Sequence, residues 1–208
     1  MAIWSAIEAE RRSLVEYLKT LPEDAWTKKS LCSAWTVRQV VAHVIALSEI
    51  TTGSFLSGIV SNGFSLNKLN DAGVRRHAEA LSNTQLIDRL NTRVAARTHP
   101  PGPVMTLLGE VVLHTEDIHR ALNGYGTHPL ENLVAVTDFY KKSNLVIPAK
   151  KRVTGLKLRA TDTTWSSGEG PEVSGPLIAL LLAMTGRTIA LDDLAGDGLA
   201  TLRQRVTA

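Results

Sequence analysis

The sequence predicts a mainly α protein, an up-down four-helix bundle followed by a small α+β unit. Three observations predict it. Apolar residues recur at helical spacing through the first two-thirds of the chain, two capping-box signatures open helices, and after Pro148 the pattern changes to strand-like alternation between Gly and Pro turn signals. A chain of 208 residues is long enough for one full core or a medium domain plus a small one, and boundaries of 1–148 and 149–208 follow from the change in texture.

The elements follow in chain order. Ile3, Ile7, Leu14, Leu18 and Leu21 share one helical face, and Pro22 stops that helix. Thr36 with Gln39 forms an S/T-x-x-Q box in front of the stripe Val37, Val40, Val41, Val44 and Leu47. The segment from about Ser57 to Ala80 reads as a long crossover with one short helix. Ser82 with Gln85 is a second box, with Leu81 and Leu86 at the staple positions and Leu86, Leu90 and Val94 forming the stripe. A further helix opens near Thr106, carries Leu107, Val111, Ile118 and Leu122, and ends at Asn123-Gly124. Another runs from Pro129 through Leu133, Val136 and Tyr140 and dies before Pro148. Beyond it, Leu156, Leu158 and Ala160 alternate with Lys157, Arg159 and Thr161, a half-buried strand, and Thr164 to Ser167 is a second. Gly168-Glu169-Gly170-Pro171 is a turn, Pro176 opens a helix to Met184 closed by Gly186, and Asp197 caps a last helix with Leu199, Leu202 and Val206.

Composition excludes several classes. Hydrophobic residues make up 44% and charged residues 21%, so the chain is neither disordered nor fibrous. The longest unbroken apolar run, Leu177 to Met184, falls far short of the roughly twenty residues of a membrane span. Residues 1–20 lack the continuous apolar stretch of a secretory signal, and the single cysteine, Cys32, cannot form an internal disulfide, which together predict a cytoplasmic protein. The net charge of +3 is scattered in short pairs, so no nucleic-acid partner is expected. Nothing in the sequence sets the oligomeric state.

One constellation carries chemistry. Glu110 and His114 are one helical turn apart, Asp117 extends the same face, and all three flank the stripe of Leu107, Val111 and Ile118. His43 sits beside Val40 and Leu47 at the edge of its own stripe. If the two helices are neighbours, His43, Glu110 and His114 converge. Two imidazoles and a carboxylate suit zinc with an open fourth position, and nickel or iron(II) accept the same set. Taken alone, an E-x-x-x-H pair is as readily a helix-stabilising pair and a lone histidine a hydrogen-bonded one. Glu116 and His119 read as the surface side of that helix, His77, His99 and His128 as residues without partners, and Cys32 as a buried structural thiol with no histidine near it in sequence.

The stretch from Thr27 to Val44, with Trp35-Thr36-Val37-Arg38 opening a helix and Ala42-His43 near its end, resembles the signature of the mycothiol-dependent maleylpyruvate isomerase family. The stretch from Leu108 to Leu122 is similar to that family's second signature, Gly-Glu-x-x-x-His-x-x-Asp-Ile, here Gly109-Glu110, His114 and Asp117-Ile118. Leu158 to Asp162, Gly170 to Pro176 and Thr185-Gly186-Arg187 resemble its C-terminal part, so the resemblance spans nearly the whole chain. Ala34 stands where relatives often have glycine. The resemblance implies a DinB-like bundle, a divalent metal, typically zinc, on His43, Glu110 and His114, and Asp117 as a partner that orients a ligand. It also implies an arginine of the C-terminal part in the reaction, for which Arg187 is the candidate; the plainer role of Arg187 is a cation answering a helix C-terminus. Mycothiol as thiol cosubstrate and a small electrophile, possibly carboxylate-bearing, such as maleylpyruvate, are the implied partners. The reaction is then an isomerisation or an S-transfer. A non-catalytic metal- or ligand-binding stress-response protein and a metal-dependent hydrolase use the same three ligands and stay open as alternatives.

Overall fold

The computed structural model describes residues 2–32 and 34–207, which divide into two compact units, Met1–Thr127 and His128–Ala208. Ser33, inside the first signature stretch, lies outside the described residues.

In the first unit, helices α1 (Ile3–Leu18), α2 (Val37–Glu49), α5 (Asn83–Thr92) and α6 (Val104–Ala121) form a four-helix bundle. The packing pairs α1·α5, α5·α2, α2·α6 and α6·α1 close a ring. Leu14, Leu18, Val41, Ile45, Leu86, Leu90, Val111 and Ile118 fill its interior, and Trp26, from a 3-10 turn at Glu23–Thr27, adds the largest buried ring. Both predicted boxes are formed. Thr36 and Ser82 each accept the backbone N–H three residues on, while Gln39 and Gln85 accept theirs. At the end of α6, Asn123 takes the left-handed conformation (φ 60°), which asparagine tolerates.

The crossover departs from the expected loop with one short helix. It holds two helices, α3 (Thr52–Ser61) and α4 (Leu66–Ala78), each with a side-chain N-cap, Thr51 and Ser65. α4 packs along α2 but buries only Val74 and His77, too few apolar residues to make a stripe visible in sequence. α3 buries no residue at all.

In the second unit, α7 (Leu130–Tyr140) packs on α9 (Leu177–Met184). The sequence reading placed α7 with the bundle and the boundary after residue 148; the contacts group α7 with the C-terminal part. A short α8 (Ala149–Val153) leads to a three-stranded sheet of order β2-β1-β3. β1 (Lys157–Ala160) pairs antiparallel with β2 (Ser166–Ser167) and parallel with β3 (Glu172–Gly175), a strand the sequence reading missed because four residues between Pro171 and Pro176 carry too short an alternation. Leu158 and Val173, opposite each other, point to the buried side. α9 is buried on nearly every face, and α10 (Leu199–Thr207) follows a 3-10 turn at Thr188–Asp193. Among the described residues no helix is long and apolar enough to cross a membrane.

Candidate metal centre

α2 and α6 are direct neighbours, and that contact creates the site. His43 projects from the middle of α2; Glu110 and His114 project from successive turns of α6. Glu110 Oε2 lies 3.0 Å from His114 Nε2 and 3.4 Å from His43 Nε2. The two imidazoles meet edge to face, with centroids 4.9 Å apart and planes at 84°. Both histidines are buried, while the Glu110 side chain keeps 20% of its surface open. Asp117, fully buried, approaches the other nitrogen of His114, with Oδ2 2.9 Å from Nδ1. This bond directs Nε2 of His114 toward Glu110 and His43.

The loop before α2 closes over these groups. Lys29 bridges Thr36, Ser30 N–H donates to the Trp35 carbonyl, and Leu31 N–H donates to the Asp117 carbonyl at 3.2 Å. The Trp35 ring thereby comes to 4.7 Å from His43 and 6.3 Å from His114. Cys32 is half-buried, and its sulfur lies within 4.8 Å of ligand atoms of His114 and Asp117. The expectation of a buried structural thiol away from histidine is corrected: the histidine is distant in sequence, and the loop's fold-back onto α6 brings it close.

The electrostatics are those of a proton held where a cation would sit. Burial opposes charge on His114, but hydrogen bonds to Asp117 and Glu110 and their charges prevail and push it up to about 9. Burial keeps His43 below its ordinary value despite its bond to Glu110. Desolvation opposes charge on Glu110, yet the two imidazoles hold its carboxyl well below the usual carboxylate range. The donor set also has the spacing of a metal site. Tetrahedral ligands at about 2.0–2.1 Å from zinc lie about 3.3 Å from one another. The two imidazole–carboxylate separations of 3.0 and 3.4 Å match that value.

Arg187 belongs to the second unit, where its Nη1 donates to the carbonyl of Thr185 at the C-terminus of α9. Glu116 is not a surface residue: it is 1% exposed, pairs with Arg120 at 3.4 Å, and accepts from Gly126 N–H at 2.7 Å. α6 is enclosed on nearly all sides, so its second face also needs internal partners. His119 stacks on Tyr17 at 3.6 Å. His77, expected to have no partner, is buried against Glu49, with Nε2 3.3 Å from Oε2.

His43 also borders a cavity of about 450 Å³ between α2, α3 and α4, whose far wall includes Glu49, Arg76 and His77. The sequence offered no signal for it, since it depends on the two crossover helices.

Residues 7–99 match the family profile described as the mycothiol maleylpyruvate isomerase N-terminal domain. No curated protein matches the chain. A crystal structure of the mycothiol-dependent maleylpyruvate isomerase is similar with a TM-score of 0.63 at 15% identity, covering 94% of this chain and 91% of that one. A crystal structure of a histidine-to-alanine mutant of the mycothiol-dependent maleylpyruvate isomerase is similar with a TM-score of 0.56 at 13% identity, over the same shares. At such identities the two structures speak for the fold, and the profile match speaks for descent. Residues 7–99 are thus similar to the N-terminal domain of the mycothiol maleylpyruvate isomerases, and the chain shares its fold with the two solved structures.

Proposed function

We propose that the chain is a divalent-metal enzyme, with zinc on His43, Glu110 and His114, that uses mycothiol to isomerise or S-conjugate a small electrophile bearing a carboxylate, maleylpyruvate being the reference substrate. The observation that carries this reading is the convergence of both imidazole Nε2 atoms on one carboxylate oxygen, at 3.0 and 3.4 Å, beside an accessible cavity. A metal ion bound by this set supplies a site at which a thiol loses its proton near neutral pH.

The chain's own residues do the rest. Asp117 holds His114 in the tautomer that presents Nε2. Trp35 covers the imidazoles and keeps bulk water off that side. The cavity next to His43 gives an electrophile room to approach. Addition of the thiolate to a cis-enedione makes its double bond single; rotation and loss of the thiolate then give the trans isomer. An electrophile that cannot eliminate stays as the S-conjugate.

The test is metal analysis of the purified protein, followed by incubation of the zinc form with mycothiol and maleylpyruvate and separation of the products. Stoichiometric metal and thiol-dependent conversion are expected. Turnover without thiol would replace this reading with a hydrolase. Stoichiometric metal retained by His114→Ala, or no heat on titrating millimolar mycothiol, would overturn it.

A further inference from the structure

The cavity beside His43 has a second end. Glu49 lies six residues further along α2, about 9 Å along the helix axis at 1.5 Å per residue, and both residues line the same space. Opposite Glu49, α4 contributes Arg76 and His77. The Glu49 carboxylate is already used on both oxygens: Oε1 accepts from Arg89 Nε at 2.5 Å, and Oε2 faces His77 Nε2 at 3.3 Å. Burial, aided by Arg76 and Arg89, keeps His77 below its ordinary value against the pull of Glu49. Glu49 is thus paired with Arg89, and Arg76 is the cation of the cavity lining that Glu49 does not hold. Among the described residues Arg76 makes no ion pair and no side-chain hydrogen bond. Arg76 and His77 also line a second groove, which Asp88 and Arg89 border. α3, which walls the cavity with Ser54, Ser57 and Ser61, carries no charged residue.

The geometry points to Arg76 as the carboxylate-binding residue of this cavity, holding a small organic acid whose reactive carbon lies toward His43. This rests on the functional reading above and deepens it by naming the anchor. The cavity of about 450 Å³ has room for a small organic acid between these residues. An unpaired guanidinium binds a carboxylate bidentately, which fixes orientation as well as position. Arg187, the candidate from sequence, already donates to a main-chain carbonyl in the second unit.

The experiment is titration of maleate, a cis-dicarboxylate without a ketone, into the full chain, both zinc-loaded and chelator-treated so that direct coordination is separated from the cavity. A charge-assisted hydrogen-bonded contact contributes about 1.5–3 kcal/mol, so Arg76→Gln is expected to weaken maleate binding about ten- to a hundredfold in both forms. Arg76→Lys restores part of it. Zinc content stays at the wild-type level in both variants. With maleylpyruvate and mycothiol, Arg76→Gln raises KM by the same factor while kcat moves less than about threefold. Equal maleate affinity in wild type and Arg76→Gln, or no binding by the wild type at tens of millimolar, would overturn the assignment. Maleate binding that depends on Arg76 in a protein that takes up neither zinc nor mycothiol would support the anchor and sink the enzyme reading instead.

Discussion

His43 is the one proposed ligand that α2 brings to the site, so its removal tests the meeting of the two helices. A four-ligand structural zinc site has an apparent binding free energy of about 10–16 kcal/mol, or roughly 2.5–4 kcal/mol per ligand, which is two to three decades of affinity. His43→Ala should therefore weaken zinc binding by about a hundred- to a thousandfold. The imidazole is 4% exposed and lies between Trp35 and His114, with centroids 4.7 and 4.9 Å away, so its loss also leaves a void. A void of that size costs on the order of 1–2 kcal/mol. The melting temperature of the metal-free protein should fall by only a few degrees, with one cooperative transition. Competition against a chromogenic zinc chelator reads the first effect and thermal melting the second. Zinc affinity within threefold of wild type would refute the site. Loss of zinc accompanied by loss of the cooperative transition would show unfolding, and His43→Gln, which keeps volume and polarity, then decides: its zinc affinity should still fall by at least tenfold.

Other predictions follow from the same structure. Zinc must displace the proton that Asp117 and Glu110 hold on His114, whose pKa is raised to about 9; apparent zinc affinity should therefore rise about tenfold per pH unit from pH 7 to 8 and flatten above about 9. Calorimetry in buffers of different ionisation enthalpy should count about one proton released near pH 7; none released would contradict the charge state described. Thr36→Ala removes one side of the box that starts α2 and should cost about 1 kcal/mol in urea unfolding. Its zinc affinity should barely change, because His43 lies two turns into the helix. Gly168 has φ +81°, and a Cβ there would sit 2.3 Å from the Leu156 carbonyl oxygen, whereas Gly63, at φ +64°, has nothing within 4 Å. Gly168→Ala should cost on the order of 3 kcal/mol or more and Gly63→Ala about 1 kcal/mol. Amide exchange should show the first change as lost protection in β1, and equal costs would refute the steric argument.

The bundle was legible because its helices are amphipathic and their starts are chemically marked. Thr36/Gln39 and Ser82/Gln85 are local signals that need no tertiary information, and so is the i, i+4, i+7 face of Glu110, His114 and Asp117. The Leu156 to Ala160 alternation announced β1 in the same way. α4 escaped notice because it shows α2 only Val74 and His77, and Glu116 was misplaced because α6 is enclosed on two faces rather than one.

Residue type and helical phase, both local properties, determined which side chains faced the interior and which of them could hold a cation. Whether α2 stood beside α6, whether the loop carried Cys32 and Trp35 onto His114, and whether α4 set Arg76 at the far end of the cavity were decided only by packing. Those placements join residues tens of positions apart, and no local periodicity encodes a distance across the chain.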